Sequence, residues 1–354
     1  MNVFYCIGFD VNKSGGKSRA TSQKIKSLST HKGISSFLYF SPSNRVPLIL
    51  SLVYLELKIS VLLILKKPDV IICRGWLGFF PLLVAHFINV KYVREVHADL
   101  IEEVTVMDKS RFEKKLLSIA ARYILSLELN SDVLIFNHPT LEEGYTKKYN
   151  FKNKSFYTYN GFGTDFNVSN NIKELKEKYA IPLNTKIICF TGSVSSWHGI
   201  EYVYKLSKEI EVIKANIIIV IAGGELPGRY TSKSIYNISP LDSQGCDEII
   251  QLSDACILPV KNNRMSPGSP LKLYDYIKYQ KFIFVQSNVK GYSDEVYKYS
   301  NGCQVDFKNA KETAKTIIQI FDNSNLCLKN KKVINDFSWE ARMSIWIEKL
   351  KEII

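Results

Sequence analysis

What this 354-residue chain does not contain narrows its chemistry first. Its seven cysteines are odd in number, and no C-x-x-C pair occurs. Cys6, Cys73, Cys189, Cys246, Cys256, Cys303 and Cys327 are scattered along the chain, a pattern that suits reduced thiols in a cytoplasmic protein rather than disulfides or zinc. There is no H-E-x-x-H, no clustered Cys/His set and no D-x-D pair, so neither a metal site nor a cofactor is expected. No fixed-period repeat or low-complexity tract is visible, and 46% hydrophobic with 23% charged residues is ordinary for a folded protein, which excludes a disordered chain.

Two further absences concern membranes. Met1 to Phe9 reads as a strand without a basic leader or a small-residue cleavage site, so no signal peptide is expected. The one long apolar run, Leu48 to Leu65, carries Glu56 and Lys58 at its centre, where a bilayer would penalise both. A buried or membrane-touching helix is expected there rather than a span, with Lys66 and Lys67 at its end.

A surplus of positive charge is what the chain does have. The formal net charge is +13, and it leans toward the first half, with 22 Lys+Arg against 14 Asp+Glu up to Asp165 and 25 against 20 beyond. Such a balance attracts nucleic acid, phosphorylated ligands or anionic membrane. No helix-turn-helix, zinc-finger or RNA-recognition signature accompanies it, so nucleic acid is not an expected partner. The basic helix over residues 110–129, near the apolar segment Leu77 to Phe87, fits anionic lipid or a lipid-linked phosphate better.

The length exceeds what one core usually supports, which predicts two domains of about 150 to 200 residues each. Short apolar runs alternate with helical-length segments, the signature of β-α units around parallel sheets. Strands are predicted at Val3 to Phe9, Ser36 to Phe40, Val70 to Cys73, Tyr92 to Val96 and Val133 to Asn137. Between them, the helix from Ser110 to Leu129 places Phe112, Leu116, Ile119, Ala120, Tyr123 and Leu127 near one face. The pattern resets after Tyr159-Asn160-Gly161-Phe162-Gly163, which reads as a hinge. A second series follows, with strands at Lys186 to Phe190, Ile217 to Ala222, Ala255 to Pro259 and Phe282 to Gln286, and a last amphipathic helix from about Ser338. In such doubly wound sheets ligands bind at the carboxyl ends of the strands, here predicted to face one cleft.

Several short stretches fall at those ends. In Ser266-Pro267-Gly268-Ser269-Pro270-Leu271, Ser269 reads as a helix N-cap and Pro270 as the first helical position. The free N–H groups of that turn would hold phosphate oxygens, with Lys272 adding a formal charge. Asp275, one turn on, is placed to accept from the two vicinal hydroxyls of a ribose, unless it only pairs with Lys272 or Lys278. Thr191-Gly192-Ser193 follows a strand and is a second phosphate candidate, with Ser196-Trp197-His198-Gly199-Ile200 opening the next helix. Ala222-Gly223-Gly224 ends another strand with the same permissive backbone. In the first half, Lys13-Ser14-Gly15-Gly16-Lys17-Ser18 fails as a Walker A loop because position 11 is Val11, not glycine, and reads as a glycine-rich lip. His97 lies just past the end of a strand, where an imidazole could bond a sugar hydroxyl or a leaving oxygen, or be satisfied structurally.

Taken in order, these pieces resemble the retaining glycosyltransferases of family 4, along nearly the whole chain. Ser14-Gly15-Gly16 resembles their amino-terminal glycine loop, and Asn160-Gly161 with Asp165 and Phe166 resembles their hinge. Phe190 to Ile200 resembles the donor loop, Ser269 to Gln280 the S-P-x-K-L-x-E-Y stretch, and Phe337-Ser338-Trp339-Glu340 the entry to the final helix. The chain also departs from the family. Pro267 stands where the first of two glutamates is usual, Asp275 replaces the second, and Ser193 and His198 stand where the donor loop usually has Arg and Lys. A diphosphate would then rely on Lys272, Arg264, Lys261 or a protonated His198, of which Lys272 is favoured by its place beside the turn.

The resemblance implies an α/β protein of GT-B fold, with two facing Rossmann-like domains around a central cleft. An acceptor domain would span 1–165 and a donor domain 166–337, and a helix at 338–354 would cross back to the first. It implies transfer of a sugar, with retention of configuration, from a nucleotide-diphosphate sugar to a glycan or polyprenyl-linked acceptor in surface polysaccharide biosynthesis. The enzyme would be cytoplasmic, peripheral at the anionic inner face of the membrane. His97, Lys272 and Asp275 would be its catalytic residues. Gly15, Gly16, Gly192, Ser193, His198, Arg264, Gly268, Ser269, Pro270 and Leu271 would hold the donor's phosphates and sugar, and Gly223, Ile238 and Asp275 its nucleoside. A nucleotide-sugar 2-epimerase of the same fold, or an inactive nucleotide- or partner-binding protein, are the alternatives.

Overall fold

The computed structural model describes the chain except for Ser14, Asn44, Asp108, residues 165–170, 195–197, 262–269 and 290–292, Ser300 and residues 324–334. Two compact units divide the described residues. The first is Met1–Gly163 with Ser338–Ile354, and the second takes Thr164–Asn263 and Pro270–Phe337.

In the first unit the chain runs β1 (Asn2–Ile7), α1 (Gly16–Ser29), β2 (Ser36–Phe40), α2 (Leu48–Lys66), β3 (Val70–Arg74) and α3 (Phe79–Phe87). It continues through β4 (Lys91–Val96), α4 (Leu100–Val106), α5 (Arg111–Leu129), β5 (Val133–Phe136), α6 (Pro139–Tyr149) and β6 (Lys154–Tyr157). The second unit opens with α7 (Ile172–Lys178), β7 (Lys186–Gly192), α8 (Ile200–Ile213), β8 (Ile217–Gly223), β9 (Ile235–Ile238) and α9 (Ser243–Leu252). It closes with β10 (Ala255–Leu258), α10 (Leu271–Lys278), β11 (Phe282–Gln286), α11 (Asp294–Tyr299), β12 (Gly302–Val305) and α12 (Ala310–Asp322), after which α13 (Trp339–Ile353) belongs to the first unit.

Each unit has one six-stranded sheet, ordered β2-β1-β3-β4-β5-β6 and β12-β11-β10-β7-β8-β9. Every pairing is parallel. Helices cover both faces of such a sheet, which is why its central strands are continuous apolar runs rather than alternating ones. The predicted strands recur in place, with β1 ending at Ile7 rather than Phe9. Gly8 leaves the sheet there, pressed so close to the next loop that a Cβ on it would sit 2.3 Å from the Trp76 amide. Three strands escaped prediction: β6, β9 and β12 are four residues each, lie toward the sheet edges and mix polar with apolar residues.

Side-chain alternation sorts the first sheet into two chemically different faces. Phe4, Cys6, Ile71, Cys73 and Tyr92 point to a cluster with Leu55, Ile59 and Leu63 of α2, Leu82 and Ala85 of α3 and Leu127 of α5. Tyr5, Arg74 and Glu95 alternate with those residues and so point to the other face, where Trp346 of α13 meets the Tyr5 ring edge-on. Ser338 caps α13 by accepting from the Ala341 N–H at 3.2 Å.

Helix α5 departs from expectation. Its turn inward is made by Ala121, Ile124 and Leu127, whereas Phe112 at 71% exposure, Ile119 at 60% and Leu116 at 53% face outward. A full capping box between Ser110 and Glu113 starts it.

The acid in the apolar helix α2 also acquires a role. Glu56 is buried, and its carboxylate accepts from the backbone N–H groups of Gly78, Phe79 and Phe80 at 2.5, 3.3 and 2.9 Å. Those are the free donors at the start of α3, whose own N-cap is a glycine with no side chain to offer. A charge that would be prohibitive in a bilayer is thus satisfied inside the protein by a helix terminus. α2 ends at Lys67, which adopts a left-handed backbone (φ 41) just before Pro68. Substituting Glu56→Ala leaves one buried and two part-buried donors unpaired, so it should lower unfolding free energy by about 1 to 3 kcal/mol, while Glu56→Gln should cost about half as much. Chemical denaturation measures both, and wild-type stability in Glu56→Ala would contradict the capping role.

Candidate active site

The carboxyl ends of the strands are built differently in the two units. In the second, β7 and β8 end in close backbone approach. Gly192 and Gly223 take positive φ (96 and 94), and a Cβ on Gly224 would fall 2.8 Å from the Gly192 carbonyl oxygen. Only glycine fits that spacing without backbone movement. Asn237 holds the turn from the neighbouring strand, its amide donating to the carbonyls of Ile221 at 3.1 Å and Gly224 at 2.9 Å. Ile238 follows it, in register with Ala222.

Helix α10 is anchored to the same end of β7 by Tyr276, a buried residue whose hydroxyl accepts from the Thr191 N–H at 3.1 Å. The helix begins at Leu271, one residue later than predicted. Pro270 precedes it in extended backbone (φ −73, ψ 128), without a side-chain cap. A proline ring has no N–H and no side-chain acceptor, so it caps none of the first-turn N–H groups with its side chain, although its carbonyl accepts from the Leu273 N–H at 3.1 Å. Ser269, Gly268, Pro267 and Arg264 lie outside the described residues, as do Asp165 and Phe166.

Lys272 then sits in an unusual place. Its ammonium nitrogen is buried although the residue as a whole is partly exposed, and it has no hydrogen-bond partner among the described residues. It lies 3.8 Å from the centre of the Phe190 ring and 3.9 Å from where a Gly192 Cβ would stand. Burial pulls its pKa down to about 7, against a smaller upward pull from Asp275. Other candidate cations are placed differently. Lys261 is paired with Glu201 at 2.7 Å, and the His198 ring packs edge-on against Phe190 at 5.6 Å. Ser193 is exposed, and Asp275 is partly exposed on α10. Lys278 is ion-paired to Asp247 at 2.9 Å.

In the first unit the strand ends gather charge instead. Glu95 is buried, and its carboxylate accepts from the Tyr5 hydroxyl at 2.6 Å, from His97 Nε2 at 2.5 Å and from Lys24. Arg74 stands 4.0 Å away, donating to Thr21 at 2.9 Å. Burial alone would raise the Glu95 pKa, but Lys24, His97 and Arg74 together hold it well below the usual carboxylate range. Lys24 is wedged between that carboxylate and the rings of Trp346 and Trp339, 4.5 and 5.0 Å from the ammonium. Loss of hydration, with Arg74 close by, pushes the His97 imidazole down to about 3, so it is neutral. With Nε2–H given to Glu95, Nδ1 is the acceptor and faces the Asn137 amide at 3.4 Å. Asn137 Oδ1 is buried with no hydrogen-bond partner among the described residues. Gly15 precedes α1 with φ 132 and Gly16 opens the helix, again without a side-chain cap.

Of the residues expected from sequence, Lys272, Gly192, Gly223 and His97 lie at or beside strand ends, where the structure also places Glu95, Asn137, Tyr276 and Asn237, with Lys24 on Glu95, none of which the sequence singled out. Only Glu95 carried a usable signal, since an acid two residues before a strand-end histidine shares its face of the sheet.

Two parallel six-stranded α/β sheets with interleaved helices are the GT-B fold. Residues 171–335 match the family model described as glycosyl transferases group 1. A curated relative, an uncharacterized glycosyltransferase of Methanocaldococcus jannaschii, is 26% identical over 163 residues, covering 44% of this chain and 40% of that protein. The chain thus matches about two fifths of the length of that relative. Among solved structures, a glycosyltransferase from Rickettsia africae superposes with a TM-score of 0.69 at 17% identity, covering 99% of this chain and 98% of the other. A UDP-GlcNAc 2-epimerase from Neisseria meningitidis, bound to UDP-GlcNAc, gives 0.54 at 12% identity over 99% and 100%.

Lys272 makes a pH-dependent prediction. Unfolded, the amine keeps its proton up to about 10.5, whereas folded it releases it near 7. Folding is therefore penalised below pH 7, and the penalty fades as pH rises toward 10.5. Lys272→Met should raise the thermal midpoint, by more at pH 6 than at pH 9, while a panel of nucleoside diphosphates no longer binds by calorimetry. A variant less stable at pH 6 would refute the uncompensated charge. For His97, a pH-rate profile between pH 5 and 8 should show no inflection that His97→Gln removes.

Proposed function

We propose that the protein is an enzyme, a glycosyltransferase that takes its sugar from a nucleotide-diphosphate donor. One observation carries the reading: a buried ammonium, Lys272, without a hydrogen-bond partner among the described residues, beside the backbone turn of Gly192 at a parallel strand's carboxyl end, within the segment that matches glycosyl transferases group 1. A departing nucleoside diphosphate, which gains a further negative charge as the glycosidic bond breaks, is the anion such a site suits. Fixed positive charge in a water-poor setting stabilises the charge that develops as the glycosidic bond breaks, and free N–H groups at a helix start add to it. This chemistry asks for no divalent metal. Asp275 accepts from the ribose hydroxyls of the donor, and Gly223 and Ile238 border its nucleoside. His97, neutral, bonds a hydroxyl of the transferred sugar, with the open acceptor of Asn137 as its neighbour.

The finer reading is of a retaining enzyme of family 4 that glycosylates a glycan or polyprenyl-linked acceptor in surface polysaccharide assembly at the cytoplasmic face of the membrane. No side-chain nucleophile is required: the acceptor hydroxyl attacks on the face the diphosphate leaves and its proton passes to a phosphate oxygen. An epimerase would need a carboxylate basic enough to remove a carbon-bound proton, and Glu95, held well below its usual range, is a poor base.

Mass spectrometry of the protein incubated with a panel of nucleotide sugars tests the proposal. Slow release of free sugar without acceptor, its anomer fixed by NMR, supports a retaining transferase. Isomerised donor would replace that reading with epimerisation, and an unchanged panel would leave a binding protein. Asp275→Asn should weaken nucleotide binding by about 1 to 3 kcal/mol by calorimetry, since a charge-assisted bond becomes neutral. Unchanged affinity would remove Asp275 from the nucleoside site.

A further inference from the structure

We propose that α2, α3 and the first half of α5 form one face that docks in plane on an anionic lipid bilayer. This stands apart from the sugar-transfer reading. The three helices share one core cluster and so cover one side of the first unit's sheet. Their outward side is apolar to an extent that a soluble surface rarely shows. On α2, Leu50, Val53, Tyr54, Leu57, Val61, Ile64 and Leu65 are all exposed and recur at helical spacing along 19 residues, a stripe of about 28 Å. α3 adds Phe79, Phe80, Leu83 and Phe87, the last at 88% exposure, and α5 adds Phe112, Leu116 and Ile119.

Charge identifies the occupant. From Arg45 to Pro68 and from Gly75 to Val90 the only carboxylate is Glu56, which is buried under α3. The exposed charges of the first stretch, Arg45, Lys58, Lys66 and Lys67, are all positive, and on α5 Arg111, Lys115 and Arg122 are exposed beside one acid, Glu113, which is itself ion-paired to Lys109 at 3.2 Å. A protein partner of stable kind usually meets polar groups at such a rim, of both signs. Long aliphatic stripes, phenylalanines and a predominantly positive fringe instead match the interface of a membrane rich in acidic headgroups, where lysine stems lie along the apolar layer and their ammonium groups reach the phosphates. The face does not span. Leu55, Ile59 and Leu63 on the other side of α2 belong to the core, and Glu56 is committed to α3.

The full-length protein should sediment with phosphatidylcholine vesicles containing phosphatidylglycerol, weakly with phosphatidylcholine alone, and less in high salt. Leu57→Glu with Val61→Glu replaces only exposed side chains, so circular dichroism should stay native while vesicle affinity falls at least tenfold. Lys58→Glu with Lys66→Glu and Lys67→Glu should abolish the preference for acidic lipid. Nucleotide binding, measured alongside, should be unchanged in both variants, which separates this test from that of the sugar-transfer site. Wild-type protein left in the supernatant, or full binding by Leu57→Glu/Val61→Glu, would overturn the proposal. A dimer in sedimentation velocity that the same variant dissolves, without vesicle binding, would assign the face to a second copy.

Discussion

Taking an ammonium group out of water costs several kcal/mol unless a negative group meets it, and at the start of α10 the described residues give Lys272 no hydrogen-bond partner, only the weaker electrostatic pull of Asp275. Stability alone would favour a methionine or leucine there. The surrounding elements nevertheless hold the lysine in place: Tyr276 fastens α10 to Thr191, the positive-φ glycines bring the ends of β7 and β8 together, and Phe190 offers its ring face to the charge. A cation–π contact offsets part of the cost, about 1 to 2 kcal/mol when water is excluded. The remainder is a reservoir that an anionic ligand can release. Binding a diphosphate would restore the charge to the amine and gain the interaction that folding forgoes.

The first unit solves the opposite problem. Glu95 is as deeply buried, but it has Tyr5, Lys24 and His97 around it and Arg74 within reach, so its charge is fully compensated. That closed set fixes the tautomer of His97 and keeps the ring neutral. Beside the His97 ring the amide oxygen of Asn137 stays open, with no hydrogen-bond partner among the described residues. A neutral imidazole and an unsatisfied carbonyl-type oxygen suit hydroxyl groups rather than anions, which sets the strand ends of the first unit apart chemically from those of the second. α13 takes part in this through Trp339 and Trp346, which wall in Lys24. The last helix is therefore part of the charge network and not only of the core.

Much of this was legible in the chain, and the failures have physical causes. Short apolar runs placed nine of the twelve strands among the described residues because most parallel strands here are buried on both faces and leave a dense apolar signal. β6, β9 and β12 carry no such signal because the edge of a sheet is partly wet. Turn chemistry located Gly192, Gly223 and Lys272, since glycine and helix-start residues are constrained locally. Lys24 could not be seen: a lysine in a basic amphipathic helix reads as solvated, and only tertiary packing shows it under two tryptophans. Helix α5 misleads for a related reason. Its apolar stripe was regular, but regularity says that a face is apolar and not what covers it.

Helix α2 joins these points into one constraint. An apolar segment of its length could serve as a core helix, a span or a surface plate, and composition alone does not choose. Glu56 chooses. Its carboxylate satisfies the start of α3, so the helix is pinned by one side to the sheet and withdrawn from any path through a bilayer. The same bond sets the pose of α3, and with it the outward direction of Phe79 and Phe80. Had the acid been leucine, the segment would have been free to insert, and α3 would have had bare donors at its tip. A single buried charge thus converts a would-be span into a plate, leaving its far side apolar and ringed by lysines.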